Sequence, residues 1–264
     1  MQWLEAGMVM KVTGGAIHES SSGTYQDAQI LVVMRHTQRE DEVESSWVAR
    51  ASMPWDPPIS EQGIGLARKR MQMLQGSGIA KVVTSPFKRC IQTAQIACTV
   101  LNLPSTAVEA DWELSEVLTE SLLNSHGASI PQTSISKWMW QSLRQACGPG
   151  LEDERRHGVL EKPHETLNAS SAPVYPESLE TAHARYGAAL QKIADRHHPA
   201  NVLVITHGEA VRQSVTRIIP WATVFRVEHC GFTVAWRSLD EDSEWDWQLK
   251  KQQEGNGVDW TVSS

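Results

Sequence analysis

Residues 30–39 read Ile-Leu-Val-Val-Met-Arg-His-Thr-Gln-Arg, five apolar residues that stop abruptly at Arg35 and His36. A short continuous apolar run of this kind is what a parallel sheet buries on both faces. The pattern returns at 202–208 as Val-Leu-Val-Ile-Thr-His-Gly, so two strand patterns each deliver a histidine, His36 and His207, at their C-terminal ends. Working outward, Ser60 reads as the N-cap of a helix with Ile64, Ala67, Met71 and Leu74 at helical spacing. The charged, proline-rich stretch 40–58 before this helix reads as a connection, and a strand follows the helix at 80–84. Ser85-Pro86 then reads as N-cap and first-turn proline of a helix that turns Ile91, Ala94, Cys98 and Leu101 inward. A further helix is expected over 177–197, a strand over 201–206 and a helix over 209–219, with closing strands at 224–228, 231–236 and 244–249.

Strands alternating with helices predict an α/β fold: a three-layer α/β/α sandwich with a mostly parallel central sheet. Residues 1–28 are expected to form an N-terminal arm with at most one short strand, 29–250 the main domain, and 251–264 a loose tail. Within the domain, 117–176 reads as an inserted lid or substrate-specificity region, because it is long, irregular and rich in tryptophan and charge.

The chain has 264 residues, 41% of them apolar and 21% charged, and a net charge of −7, which offers no basic surface for nucleic acid. No run approaches the length of a membrane span. The four cysteines, at 90, 98, 147 and 230, show no Cys-x-x-Cys pair and no metal-like spacing. These features suggest a cytoplasmic protein. Neither a Gly-x-Ser-x-Gly elbow nor a Gly-rich Lys-Ser/Thr phosphate loop occurs.

In an open parallel sheet, ligands bind beyond the C-terminal strand ends, where Arg35, His36, Thr84, His207 and Gly208 all fall. A neutral imidazole can attack phosphorus if positive charge neutralises the phosphoryl group, and arginine suits that task. Arg35, Arg39 and Arg89 surround the predicted rim, and Glu116 could protonate a departing alkoxide, with Glu113 as competitor.

These pieces resemble the ordered motifs of the histidine phosphatase superfamily, in its phosphoglycerate-mutase-like branch. The carriers are Arg35-His36-Thr37, Pro58-Ile59-Ser60-Glu61-x-Gly63, the run Ser85-Pro86-Phe-Lys-Arg89-Cys-Ile-Gln-Thr-Ala94, Leu114-Ser115-Glu116 and Thr206-His207-Gly208. The resemblance implies that His36 is the phosphorylated nucleophile and that Arg35 and Arg89 bind the phosphoryl group. It implies also that His207 completes the pocket, with Thr37 and Gly208 beside it, and that Glu116 is the proton donor. It implies neither metal nor organic cofactor. Arg39 resembles a third pocket arginine found in a subset of the family's phosphatases.

Two departures stand out: Thr37 replaces the usual glycine, and Glu42 replaces the asparagine of the mutase signature. The expected activity is therefore hydrolysis of a phosphorylated substrate, small molecule or phosphoprotein. A phosphoglycerate or phosphosugar mutase, or a non-catalytic phospho-ligand module, are the alternatives. Homo-oligomerisation stays open.

Overall fold

The structure, a computed structural model, describes residues 9–13, 16–20, 28–117, 119, 173–174, 176–239, 247–250 and 255–262. Most of the expected lid at 117–176 lies outside the described residues. Among the described residues, ten strands and six α-helices follow in chain order. They are β1 (Val9–Thr13), β2 (Ala16–Ser20), β3 (Ala28–Arg35), α1 (Glu40–Val43), α2 (Trp47–Arg50), α3 (Glu61–Gln72), β4 (Ile79–Thr84) and α4 (Lys88–Leu101). After these come β5 (Val108–Ala110), α5 (Leu179–Arg196), β6 (Asn201–Thr206), α6 (Gly208–Thr216), β7 (Ala222–Val227), β8 (Phe232–Ser238), β9 (Gln248–Lys250) and β10 (Val258–Val262).

The main sheet runs β2-β1-β9-β8-β3-β6-β4-β5, with β3, β6, β4 and β5 mutually parallel. Strand periodicity distributes its core between two layers. Ile30, Val32, Met34, Val82, Leu203 and Ile205 pack beneath α3 and α4, against Ala67, Met71, Cys90, Ala94 and Cys98. Leu31, Val33, Val83, Val202 and Val204 face α5 and α6 through Leu190, Ile193, Val211 and Val215. This is the expected α/β/α sandwich. Among the described residues no helix is long and apolar enough to cross a membrane.

Local signals explain the helix ends. The Ser60 hydroxyl accepts the Gly63 N–H at 3.0 Å, capping α3. Asn102 closes α4 in the left-handed conformation, φ 58°. Ser178 caps α5 by accepting the Thr181 N–H.

Four expectations need correction. The arm is not mainly loop: β1 and β2 pair as a hairpin and extend the sheet through Val9↔Lys250 and Met10↔Leu249. Gly14-Gly15, between them in sequence, is a hairpin-turn signal. The tail is not loose over 255–262: β10 pairs with β7, and Val258 and Trp260 are buried, an alternation too short to read as a strand from sequence alone. Residues 40–58, expected as plain connection, carry α1 and α2. Finally, Ser85 does not cap α4. Phe87 occupies that position, the helix starts two residues later, and the Lys88 N–H in its first turn donates to buried Asp56 at 2.8 Å. An aspartate, not an open ring of N–H groups, therefore meets the positive end of this helix.

Candidate active site

Arg35 and Thr206 are register partners at the ends of β3 and β6, so the residues that follow them emerge side by side. The His36 N–H donates to the Thr206 carbonyl at 2.8 Å, and the Ser85 N–H donates to Ile205 at 2.9 Å, which brings the end of β4 to the same rim. As a result the His36 and His207 rings lie 5.4 Å apart, nearly edge to face. Glu116 arrives from the sheet edge, after β5 and a 3-10 turn at Trp112–Leu114 whose Asp111 side chain caps Glu113 N.

His36 is buried, and its Nδ1 lies 2.7 Å from the Thr37 carbonyl. A carbonyl accepts only from N–H, so Nδ1 carries the proton and Nε2 carries the lone pair. Burial, with the charge of Arg89 next, pushes the His36 pKa well below its ordinary value, against the Thr37 hydrogen bond. The imidazole is neutral at neutral pH. An imidazole in that form can act as a nucleophile.

Facing it, Arg89 is buried with its guanidinium 4.4 Å above the Phe87 ring. Its Nη2 lies 3.3 Å from Glu116 Oε2, and its Nη1 lies 3.6 Å from Asp56 Oδ1, too far for a hydrogen bond. Among the described residues Arg89 Nε and Nη1 have no hydrogen-bond acceptor. Buried donors without acceptors are costly, and an anion would relieve that cost. His207 is held on both sides, with Glu116 Oε2 3.0 Å from Nδ1 and the Ser85 hydroxyl 2.9 Å from Nε2. These partners assign the tautomer: Nδ1–H donates to the carboxylate, and Nε2 accepts from Ser85.

Burial depresses His207 to about 4, although Glu116 pulls the other way. Burial opposes ionisation of Glu116, but His207 and Arg89 outweigh it and hold the carboxyl well below the usual carboxylate range. Glu116 is thus a carboxylate in the free site.

The remaining sequence candidates divide. Arg35 stands beside the histidines, donating from Nη1 to the Val227 carbonyl at 2.7 Å, and its side chain passes Gly208. The Thr37 side chain turns away from the pocket: its hydroxyl donates to Gly63 at 2.8 Å, and its N–H donates to Thr93 at 3.3 Å. Only because Gly63 lacks a Cβ can α3 approach this closely, since one there would lie 2.6 Å from the Gln38 carbonyl.

Arg39 does not converge on the other groups. It pairs with Asp41 through two 2.9 Å bonds, with Glu42 Oε1 3.6 Å away. Glu113 binds Lys192 at 2.8 Å, leaving Glu116 as the carboxylate at the histidines.

Three contributors escaped the sequence reading. Asp56 sits behind Arg89, and its one signal was a charged residue set among Trp55, Pro57 and Pro58. Ser85 orients His207 although its position first suggested a helix cap. His229 lies 6.3 Å from His36 and 2.9 Å from Glu42, whose carboxyl drops to about 2 where His229 and Arg39 outweigh burial.

His36, Glu116 and His207 place donor atoms within 4.8 Å of one another, a spacing that could hold a cation. However, Arg89 Nη2 already lies 3.3 Å from Glu116 and 3.4 Å from His207 Nδ1, so a fixed positive charge sits against those donors. The site's electrostatics favour an anion.

No curated protein sequence matches the chain. Solved structures similar to it include Bacillus stearothermophilus YhfR, at 18% identity over 89% of this chain and 96% of that one, TM-score 0.50. A mycobacterial glucosyl-3-phosphoglycerate phosphatase in complex with VO3 is 17% identical over 89% and 98%, TM-score 0.50. A phosphoglycerate mutase from Bacillus anthracis is 19% identical over 90% and 92%, TM-score 0.49. At such identities the likeness to the first two speaks to the fold alone. The family model of the histidine phosphatase superfamily (branch 1) matches residues 31–169 and 149–252, a span that takes in β3 with His36, α4 with Arg89, and β6 with His207. By that match the chain belongs to branch 1 of the histidine phosphatase superfamily.

Proposed function

We propose that the protein hydrolyses phosphomonoesters through a phosphohistidine on His36. One observation carries the reading: an unprotonated Nε2 on a buried, neutral His36 shares its pocket with the unsatisfied buried donors of Arg89. Phosphoryl transfer demands little beyond an in-line nucleophile and positive charge on the equatorial oxygens.

In the first step the Nε2 lone pair forms a bond to phosphorus while the bond from phosphorus to the ester oxygen breaks. The departing oxygen takes that electron pair and a proton from Glu116. In the second step water attacks phosphorus, gives its proton to the Glu116 carboxylate, and releases phosphate and neutral His36. Glu116 is ionised in the free site, so its proton must arrive with the substrate. A phosphoryl group seated on Arg89 engages the cation that holds Glu116 ionised, and the negative charge it brings raises the carboxyl's proton affinity.

Hydrolysis is preferred to isomerisation because of Glu42. An isomerase that works through a bisphosphorylated intermediate must hold a second phosphate near the nucleophile. Here Glu42, tied to His229 and Arg39 near Arg35, places negative charge beside the site.

The test is rapid mixing with a 32P-labelled monoester, quenched in base, which spares phosphohistidine. Label should appear on the wild-type chain and be absent in His36→Ala, with phosphate released in proportion to ester consumed. Turnover surviving His36→Ala would sink the proposal. Isomer formation without net phosphate release would favour a mutase, and binding without turnover a non-catalytic module.

A further inference from the structure

The segment carrying Glu116 has left the sheet at β5 and has no ladder of its own, yet three successive carbonyls in it are held by side chains. Arg185 Nη1 donates to Glu113 O at 2.5 Å and to Ser115 O at 3.1 Å. Thr206 Oγ1 donates to Leu114 O at 2.9 Å, and the Tyr186 hydroxyl donates to Ser115 O at 2.6 Å. The rest of the Arg185 fork is fixed from behind: Nε and Nη2 bind the two Glu177 oxygens at 2.7 and 2.6 Å. Its guanidinium carbon also stacks 4.4 Å from the Tyr186 ring.

Two groups from the second turn of α5 and one at the end of β6 thus grip the backbone next to Glu116. Thr206 precedes His207, so one strand end fixes both members of the Glu116–His207 pair. A buried ion pair is a poor way to gain stability, because removing both charges from water costs about what their attraction returns. Its geometric effect is stronger: it fixes a planar fork whose remaining N–H groups can aim at only one place.

We propose that Arg185, braced by Glu177, is the positioning residue for Glu116, setting the height of the carboxyl against the leaving oxygen and so the range of leaving groups the enzyme can expel. The proposal rests on the reading of Glu116 as proton donor. It adds a chemical consequence: alkyl phosphates, whose leaving oxygen must be protonated, depend on Arg185, whereas aryl phosphates with a stabilised leaving anion depend on it far less.

The test compares kcat/KM for an alkyl phosphate and p-nitrophenyl phosphate in wild type, Arg185→Lys, Glu177→Gln and Glu116→Gln. It also follows amide hydrogen exchange of residues 113–115 in the unliganded proteins. General acid catalysis contributes roughly 10²–10⁴-fold, so partial misplacement should lower the alkyl-to-aryl ratio about tenfold in Arg185→Lys, and further in Glu116→Gln. Exchange at 113–115 should quicken in Arg185→Lys while the rest of the sheet keeps its protection. Glu177→Gln should show both changes in smaller measure, which keeps the test open if Arg185→Lys does not fold.

Equal losses on both substrates, or unchanged exchange at 113–115, would overturn the positioning role. If Glu116→Gln shows the split and Arg185→Lys does not, the positioning proposal alone has failed. If Glu116→Gln shows no split, the proton-donor reading has failed and takes the proposal with it.

Discussion

Replacing Asp56 with asparagine should change how stability depends on pH, by an amount that follows from its burial. Asp56 is 2% exposed; Oδ1 accepts the Lys88 N–H and lies 3.6 Å from Arg89, and among the described residues Oδ2 has no hydrogen-bond partner. Burial raises its pKa from 3.8 to about 6, with Arg89 and the Lys88 N–H pulling the other way. A carboxyl raised in the folded state binds a proton there that the unfolded chain has already lost. Its contribution is therefore fully present only below pH 3.8 and is lost as pH rises through 6. About two units at roughly 1.4 kcal/mol each give about 3 kcal/mol.

Asparagine keeps an oxygen for the Lys88 N–H but cannot titrate. The stability of Asp56→Asn minus that of wild type should thus rise by about 2.5 kcal/mol between pH 4 and pH 7. Urea denaturation of both proteins across that range measures the difference. The subtraction also matters, because His207, depressed to about 4, acts with the opposite sign. Neutral in the fold and protonated in the unfolded chain, it makes the protein lose stability as pH falls from 6.5 towards 4. A wild-type curve alone mixes the two effects. A difference that stays flat within about 1 kcal/mol, or moves the other way, would refute the reasoning.

Ser85→Ala removes the hydroxyl donor to His207 Nε2, and steady-state kinetics should show kcat falling about tenfold, the value of one hydrogen bond of roughly 1.4 kcal/mol, with little change in KM. Gly231→Ala would set a Cβ 2.5 Å from the Gly257 carbonyl and 2.9 Å from that of Glu228; overpacking of about 1–3 kcal/mol should lower the thermal midpoint. Activity should fall with it, since Gly231 O accepts the Arg35 N–H and the Cys230 N–H donates to His36 O. Arg39→Ala should raise KM for a simple monophosphate by less than about fivefold, in line with a partly exposed pair worth roughly 0.2–1 kcal/mol. A rise of tenfold or more would show that Arg39 leaves Asp41 to meet the substrate.

The parts legible in the sequence are those specified by local chemistry. Apolar runs ending in Arg35-His36 and Thr206-His207 located the two central strands and the ends that form the candidate site, because a strand buried on both faces must be continuously apolar. Ser60, Asn102 and the stripe along α5 marked helices through capping and period. The elements that escaped depend on partners distant in sequence. β10 is a strand only because β7 offers it a ladder, and the arm becomes sheet only because β9 does. Local periodicity could not choose between Ser85 as helix cap and Ser85 as a partner of His207, since the deciding contact spans 122 residues.

By itself, then, the sequence determined the layered fold and singled out His36, Arg35, Arg89 and His207 as candidates, each written in short contiguous motifs. Only the tertiary structure decided which groups converge. It brought Glu116 rather than Glu113 to the histidines, turned Thr37 away towards Gly63, tied Arg39 to Asp41, put Asp56 behind Arg89, and set Arg185 on the carbonyls of Glu113 and Ser115 beside Glu116. The physical reason is that a site's chemistry depends on distance and burial. Those are set by the register of β3 against β6 and by the packing of α4 and α5 on the sheet, which no single stretch of chain contains.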